Sequence, residues 1–190
     1  MDLEQARKTI EDGGIIIFPT ETAYGIAADA RNPEAVEKVY KAKERPRSKG
    51  LTTIVSSLEQ AEKYGKLTED EREVIAEFMP GPLTLVTRKK EGLAENINED
   101  FVFRISSGDT ARELAEEFPI TATSANISGE NTSYAVEDIS EELLAEVDGV
   151  IEAGELEDGP TSSIVEIVDG EVKTYRQGPI KSDEIEKVIR

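Results

Sequence analysis

Four consecutive apolar residues, Ile15, Ile16, Ile17 and Phe18, follow directly on the pair Gly13-Gly14. A strand sends alternate side chains to opposite faces, so a run with no polar member reads as a strand buried on both. Such a strand needs a sheet covered by helices, and the rest of the chain supplies them. Leu3, Ala6 and Ile10 recur at helical spacing, and the two glycines end that helix. Asn32-Pro33-Glu34 reads as N-cap, first-turn proline and first-turn acid of a helix whose apolar stripe is Val36, Val39 and Tyr40. Ser57-x-x-Gln60 and Thr68-x-x-Glu71 have capping-box spacing.

Strands are expected in IIIF, in LTTIVS (51–56), after the Pro-Gly-Pro turn of MPGPLTLVTR (79–88), in FVFRI (101–105), in ITATSAN and near 149–152. Further helices are expected in TARELAEEF, around 140–147 and from Ser182, and SIVEIVDGEVKTY reads as a hairpin turning at Asp169-Gly170. Hairpins mixed with crossovers imply an α/β fold with a twisted, mixed sheet flanked by helices. No repeat, linker or low-complexity segment divides the chain, so residues 1–190 read as a single domain.

Composition narrows the chemistry. The chain has no Cys and no His, which excludes disulfides, thiolate nucleophiles, Cys-ligated metals and the commonest general base. What is left is Lys, Arg, carboxylates, hydroxyls, backbone amides or a hard cation held by oxygens. No apolar run approaches the roughly 20 residues of a membrane span, and the acidic amphipathic start is unlike a basic signal peptide, so a cytoplasmic location is expected.

The formal net charge is −19, yet YKAKERPRSKG (40–50) carries five bases and one acid, a net +4 that leaves −23 on the other residues. From Glu113 to Val172 there is no Lys or Arg, an envelope that repels a nucleic-acid backbone. Within the basic loop the residue before Pro46 is pushed towards extended geometry, so the helix is expected to end near Lys43. Lys43 and Arg45, at i and i+2 of an extended segment, would then face one ligand; nothing in the pattern assigns Arg47. A triphosphate carries about four negative charges, which a cluster of this size could neutralise. Complementing a helix C-terminus, worth about 0.3–1 kcal/mol, would account for two of these bases but hardly for five.

Three other loops follow strands. In PTETAYG (19–25), Thr20, Thr22 and Tyr24 share a face if the segment stays extended, which suits holding a small polar ligand. In TSANISGENTS (123–133), Ser124 and Asn126 have i, i+2 spacing, and Ala125 and Gly129 allow close approach to the backbone. Ser162 and Ser163 open a strand, and the turn at Gly178-Pro179 could aim Arg176 inward. Each loop alone also reads as ordinary turn chemistry.

Together, FPTETAYG, RPRSKGL, MPGPLTLV, FRIS, TSANISG, SSIVEI and YRQGPI, with Lys43-Glu44-Arg45 and Ser124-Ala125-Asn126, resemble the YrdC-like (TsaC) family of threonylcarbamoyl-AMP synthases over nearly the whole chain. The resemblance implies an α/β twist around a concave basic cavity. It also implies ATP-dependent synthesis of L-threonylcarbamoyl-AMP from L-threonine and bicarbonate or CO2, with release of pyrophosphate. The product would go to a separate transferase that modifies an adenosine beside the tRNA anticodon. Mg2+ would arrive held mainly by ATP phosphates, with no metal site of the protein's own. By the same resemblance, Lys43, Arg45, Lys49, Ser124, Asn126, Ser133 and Arg176 would bind ATP, with Lys43 and Arg45 serving catalysis. Thr22, Arg104, Thr123 and Ser162 would bind threonine. Ser106 stands where Pro is common, Ile54 where some longer relatives place a His, and Ser163 and Glu166 where Thr and Asp are common. The alternatives are an RNA-binding or ribosome-maturation module, against which the −23 outside the loop argues, and part of a larger carbamoyl-handling protein, whose Cys-rich modules have no counterpart here.

Overall fold

The computed structural model describes residues 1–189. Its helices are α1 (Leu3–Glu11), α2 (Pro33–Ala42), α3 (Leu58–Tyr64), α4 (Glu69–Phe78), α5 (Asp109–Leu114), α6 (Glu141–Glu146) and α7 (Ser182–Glu186). Its strands are β1 (Ile16–Pro19), β2 (Tyr24–Ala27), β3 (Thr52–Val55), β4 (Leu83–Thr87), β5 (Phe101–Ile105), β6 (Ile120–Ser124), β7 (Gly149–Val150), β8 (Ser163–Val168) and β9 (Glu171–Arg176). They form one mixed sheet in the order β7-β1-β2-β6-β3-β5-β4-β8-β9.

The caps read from the sequence hold α2, α3 and α4 at their first residues. Asn32 Oδ1 accepts the Glu34 and Ala35 amides, and Thr68 and Glu71 satisfy each other's backbone N–H groups. Ser57 caps α3, but Gln60 does not close the expected box. Its Oε1 accepts from the Ser56 amide and its Nε2 donates to Ala115 O at 2.9 Å, tying α3 to α5.

One strand was not expected. PTETAYG does not simply leave the sheet; it turns at 20–23 and returns as β2, antiparallel to β1, with Pro19 opposite Tyr24. Gly25 makes this possible, because a Cβ there would sit 3.2 Å from the Phe18 ring and 3.4 Å from Thr123 O. Thr20, Thr22 and Tyr24 therefore do not share the face of one extended segment, although all three border one hollow. Tyr24 is fully buried and its hydroxyl donates to Gly154 O at 2.8 Å.

Two cores flank the sheet. The larger contains Tyr24, Val36, Val39, Leu85 and the Phe101–Phe103 stack, with ring centroids 4.5 Å apart. The smaller packs Ala6 and Ile10 of α1 and Ala111 and Leu114 of α5 on Ile16, Phe18, Ile54 and Ile120. Strand register carries this second face onward, since Ile54 pairs with Arg104, Val102 with Val86, and Thr84 with Ile164. Beyond α1 and α5 the face opens into a hollow of about 1120 Å³, lined by Thr52, Val86, Val102, Arg104, Ala122, Ser124 and Ile164 among others. The covered end of one sheet face is core, and its open end is the candidate site.

Candidate active site

Arg104 occupies the floor. It is central in the sheet, between β3 and β4, and only 6% exposed. Burial pushes its guanidinium down, and the Glu21 carboxylate opposes that push. Arg104 Nη1 donates to Glu21 Oε1 at 2.5 Å, and the Ser106 hydroxyl donates to Glu21 Oε2. Glu21 comes from the β1–β2 turn, and no sequence signal distinguished it from the turn's other residues.

That turn is organised by Thr20. Its Oγ1 accepts the Thr22 and Ala23 amides at 3.2 Å each and donates to Ala23 O at 2.7 Å. Thr20 Oγ1 also lies 3.1 Å from Thr22 Oγ1. Thr22 lines the hollow.

On the opposite wall, Ser162 Oγ lies 2.9 Å from Thr84 Oγ1, and Arg176 fastens to Ser162 through Nε–H to the carbonyl (2.9 Å) and Nη2–H to the hydroxyl (3.1 Å). The β8–β9 ladder has an irregularity here: Val165 faces Thr174 while Ile164 faces Arg176. Tyr175 is the extra residue, and the bulge brings Tyr175 and Arg176 together onto the hollow. Desolvation and the positive charge of Arg104 both push Arg176 down, so the two guanidinium groups lie in one another's field.

The basic loop differs from expectation. Helix α2 does end at Lys43, but through a left-handed residue instead of an extended one: Glu44 has φ 49°, Arg45 N–H reaches Tyr40 O and Glu44 N–H reaches Lys41 O. The reversal sends Lys43 and Arg45 to different places. Lys43 is 1% exposed and does not line the hollow; its Nζ donates to Ser124 O and, at 2.6 Å, to Asn126 O, while its own carbonyl accepts the Ser128 amide at 2.8 Å. Burial, with the charge of Arg45 adding, pushes the Lys43 ammonium down to about 7. Arg45 does line the hollow, braced on Lys49 O and Gly50 O. Lys49 is exposed and offers the hollow only its neighbours, and Arg47 lies over the Tyr40 ring in an ion pair with Glu37.

Thr123 and Ser124 line the hollow at the end of β6, whereas Asn126 and Ser133 stand behind it. Asn126 Nδ2 holds Ile127 O and Glu130 O, and Ser133 Oγ donates to Ala125 O, so both shape the loop. Among the described residues Asn126 Oδ1 has no partner, and it is buried. Of the residues expected to bind ligand, Thr22, Arg45, Arg104, Thr123, Ser124, Ser162 and Arg176 converge, and Lys43, Lys49, Asn126 and Ser133 do not.

The remaining wall, the loop Glu95–Asp100, was not anticipated. Asn98 pairs with both backbone groups of Leu51, at 2.8 and 2.6 Å, and Tyr40 OH donates to Ile97 O at 3.1 Å. This loop brings Glu95, Glu99 and Asp100 to the hollow, which with Glu37 balance Arg45, Arg47, Arg104 and Arg176. The hollow is thus not uniformly basic. Ile54 is fully buried under α1 and α5 and does not reach it; Thr52 does.

A mixed sheet flanked by helices, with one open end lined by hydroxyls and arginines, defines an α/β protein. The family model described as "Telomere recombination" (Sua5/YciO/YrdC) matches residues 8–178. The chain belongs to that Sua5/YciO/YrdC family. A Methanocaldococcus jannaschii relative is 38% identical over 189 residues, 99% of this chain and 89% of its own length. The threonylcarbamoyl-AMP synthase of Pyrococcus abyssi is 35% identical over 95% of this chain and 55% of its own; the M. jannaschii relative carries the same name provisionally. The structure of P. abyssi Sua5 complexed with L-threonine superposes with a TM-score of 0.90 at 33% identity, covering 98% of this chain and 57% of that one. The chain therefore spans about half the length of the Pyrococcus proteins.

Proposed function

We propose that this protein is a threonylcarbamoyl-AMP synthase, joining L-threonine, CO2 or bicarbonate, and ATP. The observation that carries the reading is the convergence of Arg104, Arg45 and Arg176 with Thr22, Thr123, Ser124 and Ser162 on one hollow. The names of the relatives and the threonine complex of P. abyssi Sua5 support it.

In this reading the threonine carboxylate meets Arg104, and Thr22, Thr123 and Ser162 take its polar groups. The neutral amine attacks CO2, forming an N–C bond and shedding a proton to water. A carbamate oxygen then attacks the α-phosphorus of ATP, and the bond to pyrophosphate breaks. Arg45 and Arg176 stabilise the phosphate charge that builds as pyrophosphate departs. Lys43, Asn126 and Ser133 shape the loop that presents Ser124, and Lys49 acts from the rim. This chemistry needs neither His nor Cys.

The donor set fits a hard cation that enters with the nucleotide. The hollow, about 1120 Å³, is large enough for a nucleotide, and the oxygen donors Thr22, Ser124, Glu95, Glu99 and Asp100 are among the residues that line it. Mg2+ carried by ATP would supply charge neutralisation at the phosphates. The product would pass to a threonylcarbamoyl transferase for tRNA modification in the cytoplasm; among the described residues no helix is long and apolar enough to cross a membrane.

The test supplies labelled bicarbonate, L-threonine, ATP and Mg2+ and follows pyrophosphate and labelled threonylcarbamoyl-AMP. Both should form, each dependent on threonine. Pyrophosphate release indifferent to threonine would overturn the reading.

A further inference from the structure

The Glu21 carboxylate has no role in the chemistry above, yet it is the one acceptor that Arg104 has among the described residues. Arg104 and Glu21 side chains are 7% and 16% exposed, so the pair is shielded from solvent and water does little to hold either group in place. Glu21 does not line the hollow; it stands behind the guanidinium, which does.

Its own orientation is fixed from two sides. Ser106 Oγ accepts the Gly108 amide at 3.2 Å, which leaves its one proton for Glu21 Oε2. Gly108 leaves no slack, since a Cβ there would lie 3.2 Å from the Glu21 amide and 3.5 Å from its Oε2. Thr20 and Thr22 flank Glu21 in the turn, so the carboxylate that holds Arg104 and the Thr22 hydroxyl belong to one hydrogen-bonded turn.

We infer that Glu21, held by Ser106, is the positioning residue that fixes the Arg104 fork towards the carboxylate of an amino-acid substrate. With one N–H held at 2.5 Å by Glu21, the guanidinium keeps a single rotamer and presents its remaining donors to the hollow. The inference rests on the proposed activity for the identity of that substrate.

Glu21→Gln keeps the shape and removes the charge; Ser106→Ala removes one support without touching Arg104. Glu21→Gln should raise the KM for threonine about tenfold while leaving the KM for ATP within about twofold. Ser106→Ala should shift threonine in the same direction by about threefold. Circular dichroism melts accompany both. A threonine KM equal to that of wild type, or equal losses for threonine and ATP, would overturn the inference, as would a lowered melting temperature with unchanged kinetics. If wild-type protein makes no product, the proposed activity fails, and threonine calorimetry without ATP decides the role of Glu21. Tighter binding to wild type than to Glu21→Gln supports it; equal binding, or none to either, overturns it.

Discussion

Lys43 and Arg45 stand two residues apart and act in different places because Glu44 takes a left-handed conformation. Nothing in the letters KER announces this, since Gly is the usual residue at such a helix end. The pairing of the Lys-x-Arg and Ser-x-Asn segments was legible, but its physical form was not. A lysine ammonium clamps two carbonyls of the other segment, and only the arginine faces the hollow. Arg45→Ala should therefore raise the KM for ATP and slow pyrophosphate release by about two orders of magnitude with an unchanged melting temperature, measured by initial rates and thermal melts. Lys43→Met should lower both activity and stability. It also has a pH signature. The folded-state value of about 7 lies below the ordinary 10.5, so between them the unfolded chain keeps a proton that the folded chain has shed. Wild-type stability should rise with pH through that window, by at most ~1.4 kcal/mol per pH unit, and show no such term below it. Urea melts at a series of pH values between the folded and unfolded values, about 7 and 10.5, should find this slope in wild type and not in Lys43→Met.

Among the elements, the legible ones carried their own punctuation. Asn32, Thr68 and the Asp169-Gly170 turn, with φ of 51° and 78°, mark boundaries that local chemistry sets. Strand β2 and the loop Glu95–Asp100 owe their form to distant partners. Gly25 passes between Phe18 and Thr123, and Asn98 completes the backbone of Leu51 from 47 residues away. At Gly50 an added Cβ would overlap Asn98 Oδ1, so glycine there and asparagine at 98 form one device. Gly50→Ala and Asn98→Ala should each destabilise by about 1–3 kcal/mol, because each leaves the buried Leu51 backbone groups without partners. The double variant should cost clearly less than the sum. Denaturant melts of the four proteins check this; strict additivity would mean that Gly50 is not there to admit Asn98.

At the scale of the whole molecule the charge budget and the site point in different directions. The chain carries −19 overall and no Lys or Arg from Glu113 to Val172, and even the hollow is formally balanced by Glu37, Glu95, Glu99 and Asp100. In the proposed function Arg45, Arg104 and Arg176, which line the hollow, meet a ligand small enough to enter, where desolvation strengthens their field. A tRNA backbone would instead meet the outer envelope, whose repulsion extends about 10 Å at 0.1 M salt. Protein–RNA affinity built on phosphate contacts falls steeply with salt. This chain should show no saturable retention of tRNA at physiological ionic strength, measured by filter binding across a salt series. Its threonine-dependent pyrophosphate release should run without RNA present. Saturable binding with a steep negative salt slope would instead assign the hollow and its surroundings to RNA, and the small-molecule reading would have to be rebuilt around that.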